Sequence, residues 1–114
     1  MTDFVDIKIL QQLEVDTSAE VMPLVLDTFR QETLERVRII NRSIIDRNFS
    51  EIAAQAHALK SGAGTFGAYE LQQSAIKIEV AIKENNFSFV IDESRKLDVI
   101  VHNSLKMLKS YLET

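Results

Sequence analysis

Residues 48–68 read NFSEIAAQAHALKSGAGTFGA, and the architecture turns on how far one helix runs through them. Asn48, with Glu51 three residues later, is a helix-start signal. At about 100° per residue, Ile52, Ala56, Leu59, Ala63 and Phe66 fall in one apolar stripe roughly 80° wide. That stripe passes through Gly62 and Gly64, although a G-x-G stretch more often caps a helix than continues it. Each interior glycine costs about 1 kcal/mol relative to alanine, so continuation gives up ~2 kcal/mol. The unbroken apolar register outweighs that, and a helix is predicted from about Ser50 to Phe66, with Gly67 as its stop.

Those are all three glycines of a 114-residue chain that has one proline and no cysteine. So little turn chemistry favours a few long helices. Beyond Gly67, the residues Ala68, Leu71, Ala75, Ile78 and Ile82 form one seam, predicting a helix over roughly 68–84. Asn85-Asn86 breaks it, and Val90, Leu97, Val101, Leu105, Leu108 and Leu112 predict a last helix from about Ser88 to Leu112. Upstream, Met22, Leu26, Phe29, Val37, Ile40 and Ile44 mark a long helix ending near Asp46, with one polar interruption at Thr33. Pro23 fits only in its first turn, and Thr17-Ser18-Ala19-Glu20 has capping-box spacing. A two-turn lead-in over about 5–13 carries Ile7, Leu10 and Leu13. Short connections between long amphipathic helices make antiparallel neighbours. The expected fold is all-α: a single domain, 1–114, forming an antiparallel up-down four-helix bundle (about 18–112) with a short N-terminal helix.

A net charge of −4 and a pI near 5.1 argue against nucleic acid or an anionic membrane as partner. No apolar run approaches the roughly 20 residues that span a bilayer. The start, MTDFVDIKIL, lacks a secretory layout. With no cysteine the chain has no disulfide or thiolate metal site, and a cytoplasmic location is expected.

On the helix through residues 50–66, His57 projects roughly 140° from the centre of the apolar stripe, toward solvent. Its neighbours on that face are Ala53, Lys60, Ser61 and Gly64, at i−4, i+3, i+4 and i+7. All but Lys60 are small, so a bulky partner can approach the imidazole. An exposed imidazole is largely neutral and nucleophilic near pH 7 and can form covalent intermediates. Lys60 is a mobile point charge suited to phosphoryl oxygens. There is no P-loop, no kinase glycine loop and no clear acidic cluster for Mg²⁺. A nucleophile and one cation without nucleotide machinery can hold a phosphoryl group but cannot energise it. Elsewhere, His102 follows the core position Val101 without a small-residue clearing. Phe49 and Phe66 read as packing, and Lys83-Glu84 and Glu93-Arg95-Lys96 as solvated faces.

The run from His57 to Ala68 resembles the signature of histidine-containing phosphotransfer (HPt) domains. That signature is H-x-L-K-G-S/A-S/A, three variable positions, then G-A. His57, Leu59, Lys60 and the Gly67-Ala68 pair match it, and Leu71 and Ile78-Glu79 continue the pattern. Ser61 stands where the family usually has glycine, with Gly62 one residue later. The chain looks closest to free-standing LuxU-type proteins of bacterial quorum-sensing relays. The resemblance implies a phosphoryl carrier with no kinase activity of its own and no cofactor, and the exposed active face suggests a monomer. His57 would accept phosphate from receiver-domain aspartates, within a pathway fed by a hybrid sensor histidine kinase. Mg²⁺ would sit on the receiver. Lys60 would neutralise phosphoryl oxygens, and Glu79 either orients the imidazole or is a solvated helix charge. Ala53, Ser61 and Gly64 would meet the partner, with Gln55 and Ser61 as further polar contacts. The alternative is a non-phosphorylated helical adaptor that docks a receiver or kinase through the same face.

Overall fold

Five helices carry nearly all of residues 5–113, the part described by the computed structural model. They are α1 (Ile7–Asp16), α2 (Met22–Asp46), α3 (Phe49–Thr65), α4 (Tyr69–Lys83) and α5 (Phe87–Leu112). Helix α2 packs on α3, α3 on α4, α4 on α5, and α5 closes the ring against α2. The result is the expected antiparallel four-helix bundle, with α1 as the short leading helix.

One turn geometry makes all three reversals. After α2, α3 and α4 a single left-handed residue follows the helix: Arg47 (φ 54°), Gly67 (φ 68°) and Asn85 (φ 57°). The next amide then reaches back five residues to a helix carbonyl: Asn48 to Ser43 (2.9 Å), Ala68 to Ala63 (2.9 Å) and Asn86 to Ala81 (2.8 Å). This is the Schellman arrangement. Asn48 and Asn86 then cap the following helices, their side chains accepting from the amides of Glu51 and Phe89. Helix starts consequently fall one residue from the sequence expectation, at Phe49, Tyr69 and Phe87.

The lead-in region departs more. Asp6 caps α1 by accepting from the Lys8 amide (3.0 Å), and the helix runs to Asp16 instead of ending at Leu13. Thr17 is thereby used up: its hydroxyl donates back to the Leu13 carbonyl at 2.8 Å. The expected Thr17–Glu20 capping box does not form, and Ser18 accepts from the Val21 amide instead. Pro23 does occupy the first turn of α2.

The core is the predicted stripes meeting. Ile40, Ile52, Ala56, Leu71, Ala75, Ile78, Val90 and Leu97 are wholly buried. The interruption at Thr33 is also buried, at 2% exposure, and so belongs to the stripe. Leu112, by contrast, lies at the exposed end of α5. Glu93 is the clearest correction. It is 3% exposed, not solvated, and its carboxylate accepts from Ser74 across the α4–α5 seam (2.8 Å). Lys83, Glu84, Arg95 and Lys96 are exposed as expected.

Each glycine has its own task. Gly67 supplies the left-handed turn, and a Cβ there would sit 2.8 Å from the Asp6 carbonyl of the lead-in. Gly62 faces α2, where Phe29 stacks on Phe66 with ring centroids 4.4 Å apart. A Cβ on Gly62 would lie 3.4 Å from the Phe29 ring, an ordinary contact. Gly62→Ala therefore recovers helix propensity without a clash and should raise unfolding stability by up to about 1 kcal/mol. Chemical denaturation measures this; a loss of stability would show that the ring cannot accommodate the methyl. At the opposite end of the bundle Phe49 meets Phe87 edge-on, and Arg47 covers the Phe87 ring, so both predicted packing phenylalanines do pack.

Candidate functional site

His57 lies near the middle of α3 on the face away from the core stripe, with its side chain 64% exposed. Across the seam, α4 presents Glu79 immediately after the buried Ile78. That register places the Glu79 carboxylate at the edge of the core, 13% exposed and between two side chains of α3. One oxygen, Oε2, is 2.9 Å from His57 Nδ1; the other, Oε1, accepts from Lys60 Nζ at 2.7 Å. Of the two readings left open for Glu79, contact with the imidazole is the one the structure contains.

The electrostatics follow from this bridge. The hydrogen bond from Lys60 is the largest influence on Glu79 and holds its carboxyl below the usual carboxylate range. Desolvation acts in the opposite sense, and the contact from His57 adds to the lowering. An ionised carboxylate only accepts hydrogen bonds, so the short contact puts a proton on Nδ1. In the neutral ring, Nε2 is then the atom with the free lone pair. The Glu79 carboxylate therefore selects which ring nitrogen keeps its lone pair.

The same bridge sets a pH dependence. A carboxyl whose folded value is lowered contributes stability that is complete above its unfolded value. That contribution is lost as pH falls through the folded value. Glu79→Gln should remove this part of the acid destabilisation, so wild type and variant should converge as pH falls from about 6 to 3. Thermal unfolding across that range checks it; parallel curves would mean that the bridge does not stabilise the fold.

The flanking residues are distributed unevenly. Ala53 and Ser61 occupy the adjacent turns of α3, and the Ser61 hydroxyl donates to the His57 carbonyl at 3.3 Å. Gly64 lies in the α3–α4 seam and is not open: a Cβ there would come within 2.6 Å of Gln72 Nε2. The expected clearing at Gly64 is therefore covered by a carboxamide. Gln72 was not anticipated, though it precedes Glu79 by seven residues, the spacing that keeps two residues on one helix face. Gln55 does not join the site. It accepts from Arg36 of α2 (3.1 Å) and donates to Glu51 (2.8 Å), away from the imidazole. His102 is on α5, away from this seam.

The site is convex. Two cavities lie elsewhere, between α2 and α5 and beside Phe49 and Phe87, and His57 lines neither. Among the described residues no group of three or more His, Cys, Asp or Glu is arranged to hold a metal ion. No helix of the described residues is long and apolar enough to cross a membrane.

Comparison with known proteins bears on this arrangement. The family model for the Hpt domain matches residues 24–102, which include His57, Lys60 and Glu79. No curated protein sequence matches the chain. Among solved structures, histidine-containing phosphotransfer protein B (HptB) from Pseudomonas aeruginosa PAO1 superposes with a TM-score of 0.93. It is 18% identical, over 99% of this chain and 97% of that one. The histidine-containing phosphotransfer domain of ArcB from Escherichia coli gives 0.78 at 19% identity, over 96% and 93% of the two chains. At such identities the likeness speaks for the fold.

Proposed function

Given that the chain belongs to the Hpt domain family, we propose that it is a phosphorelay intermediate that carries a phosphoryl group on His57 between receiver-domain aspartates. The observation that carries this reading is the shared Glu79 carboxylate, which fixes the His57 tautomer and parks Lys60 one turn away. In the step itself, the Nε2 lone pair attacks phosphorus of an aspartyl phosphate. The P–O bond to the aspartate breaks, and the carboxylate leaves with its electron pair. The new N–P bond leaves positive charge on the ring, with the proton still on Nδ1 facing Glu79. Lys60 is near enough to exchange Glu79 for phosphoryl oxygens. Transfer to a second receiver is the reverse sequence with a new aspartate as acceptor.

The exposure of His57, outside both cavities, supports a macromolecular donor over a small nucleotide, because small-molecule sites are concave. ATP-dependent kinase activity is therefore not ascribed to this chain. Mg²⁺ would belong to the receiver, and Ala53, Ser61 and Gly64 with Gln72 would border the docked partner. A hybrid sensor kinase upstream, a cytoplasmic setting and a monomeric state belong to the same reading. So does a quorum-sensing pathway, supported only by the LuxU-like run from His57 to Ala68.

The test is phosphotransfer profiling. Purified receivers from the same genome are loaded with radiolabelled aspartyl phosphate and mixed with this chain. Acid-labile, alkali-stable label should move onto it within minutes. If no receiver donates label although one binds, the adaptor reading replaces the carrier.

A further inference from the structure

A groove runs between α2 and α5, opposite the α3–α4 seam that holds His57 and Glu79. We propose that it is a second docking site, shaped for an acidic amphipathic helix of a partner protein, that can be filled while the His57 face is engaged. The cavity is about 790 Å³, and its floor includes Leu26, Leu34, Leu105 and Leu108. Leu34 is nearly half exposed, so apolar surface faces water here along the trough. On α2 the lining extends from Pro23 to Leu34, about 16 Å at 1.5 Å per residue, the length of three helical turns. An open trough of that length between two helices fits a third helix presenting residues at i, i+3 or i+4, and i+7.

Charge selects the occupant. The whole chain carries −4, yet the charged side chains lining this groove carry a small positive excess, Arg30, Lys106 and Lys109 against Asp27 and Asp98. Asp27 is engaged by Arg30 (2.9 Å) and Asp98 by Asn41 (3.2 Å). Lys106 and Lys109 line the groove with no ion-pair partner among the described residues, and His102 stands between them and Asp98. A second copy of the chain docking about a two-fold axis would bring the same lysine-bearing surface against itself. An acidic helix would instead bury its leucines on the floor and place carboxylates on the lysines. The inference is independent of phosphotransfer, because it concerns binding at the opposite seam.

The full-length ¹⁵N-labelled protein is titrated with a synthetic 18-residue amphipathic helix carrying leucine at i, i+3, i+4 and i+7 and glutamate elsewhere. The control replaces every glutamate by lysine. The acidic peptide should shift backbone amides in the first half of α2 and the second half of α5, leaving those around His57 in place. Lys106→Glu with Lys109→Glu should weaken binding by about tenfold or more without altering thermal unfolding. The proposal is overturned by equal binding of the basic peptide, by shifts centred on α3 and α4, or by no binding. Ultracentrifugation showing a dimer whose interface covers the groove would overturn it equally.

Discussion

His57→Gln should abolish phosphoryl acceptance, to below a thousandth of the wild-type rate, while leaving the fold intact. A carboxamide can still hydrogen-bond to Glu79 across the seam, but it has no nucleophilic nitrogen lone pair. The loss is therefore one of chemistry and not of architecture. The wild-type side chain is 64% exposed and makes its polar contact at the bundle surface. Exposed substitutions of this kind usually change stability by no more than about 0.5 kcal/mol. Label transfer and thermal unfolding measured on the same preparation separate the two effects. Label retained by the variant would move the acceptor to another side chain, with His102 the other histidine to examine.

Leu59→Ala should do the reverse. Leu59 is two residues from His57 but on the opposite side of α3, 2% exposed in the core. Truncating a buried leucine removes its transfer free energy and leaves a cavity, together about 2–5 kcal/mol. For a chain of this size the midpoint should fall by roughly 10–20 °C. Below that midpoint, the transfer rate per folded molecule should stay within about twofold of wild type, because the deleted group lies on the core face of α3 and His57 on the exposed one. Denaturant unfolding and a transfer assay at low temperature test the pair of outcomes. A stability loss under about 1 kcal/mol would mean that the core closes over the gap. A transfer defect in folded protein would mean that the core face and the chemical face are coupled.

The contrast between these neighbours explains how much of the protein could be read from its sequence. A 3.6-residue period is a strong signal, so the α3 stripe, the outward His57 and the bundle itself were all visible. Gly67 was legible as a turn because glycine is the usual left-handed cap. Arg47 adopts the same backbone with a side chain that does not advertise it, so that turn was located by Asn48 after it, whereas Asn85 was read with Asn86 as the break. Glu93 was hidden because its neighbours Arg95 and Lys96 are exposed, and only the register of α4 against α5 brings Ser74 to its carboxylate. The same limit applied at the site. His57, Lys60, Ser61 and Gly64 share one helix and could be grouped by angle. Whether Glu79 met them, and that Gln72 covers Gly64, depended on how two helices sit beside one another. Gln55 was misassigned because Arg36, nineteen residues earlier, captures it.

The three Schellman turns bear on how the chain reaches its native state. Each joins helices that are consecutive in the chain, so α2 to α3, α3 to α4 and α4 to α5 can zip as local hairpins. Such short-range contacts close little loop entropy and belong to the fast end of folding rates. Among the four bundle seams, α2–α5 joins the segments farthest apart in the chain, as the Asn41–Asp98 bond shows with a separation of 57 residues. Ring closure there is the step expected to limit the folding rate. Substitutions at the three turns, which form before that step, should therefore chiefly change how quickly the bundle assembles and leave its unfolding rate little altered.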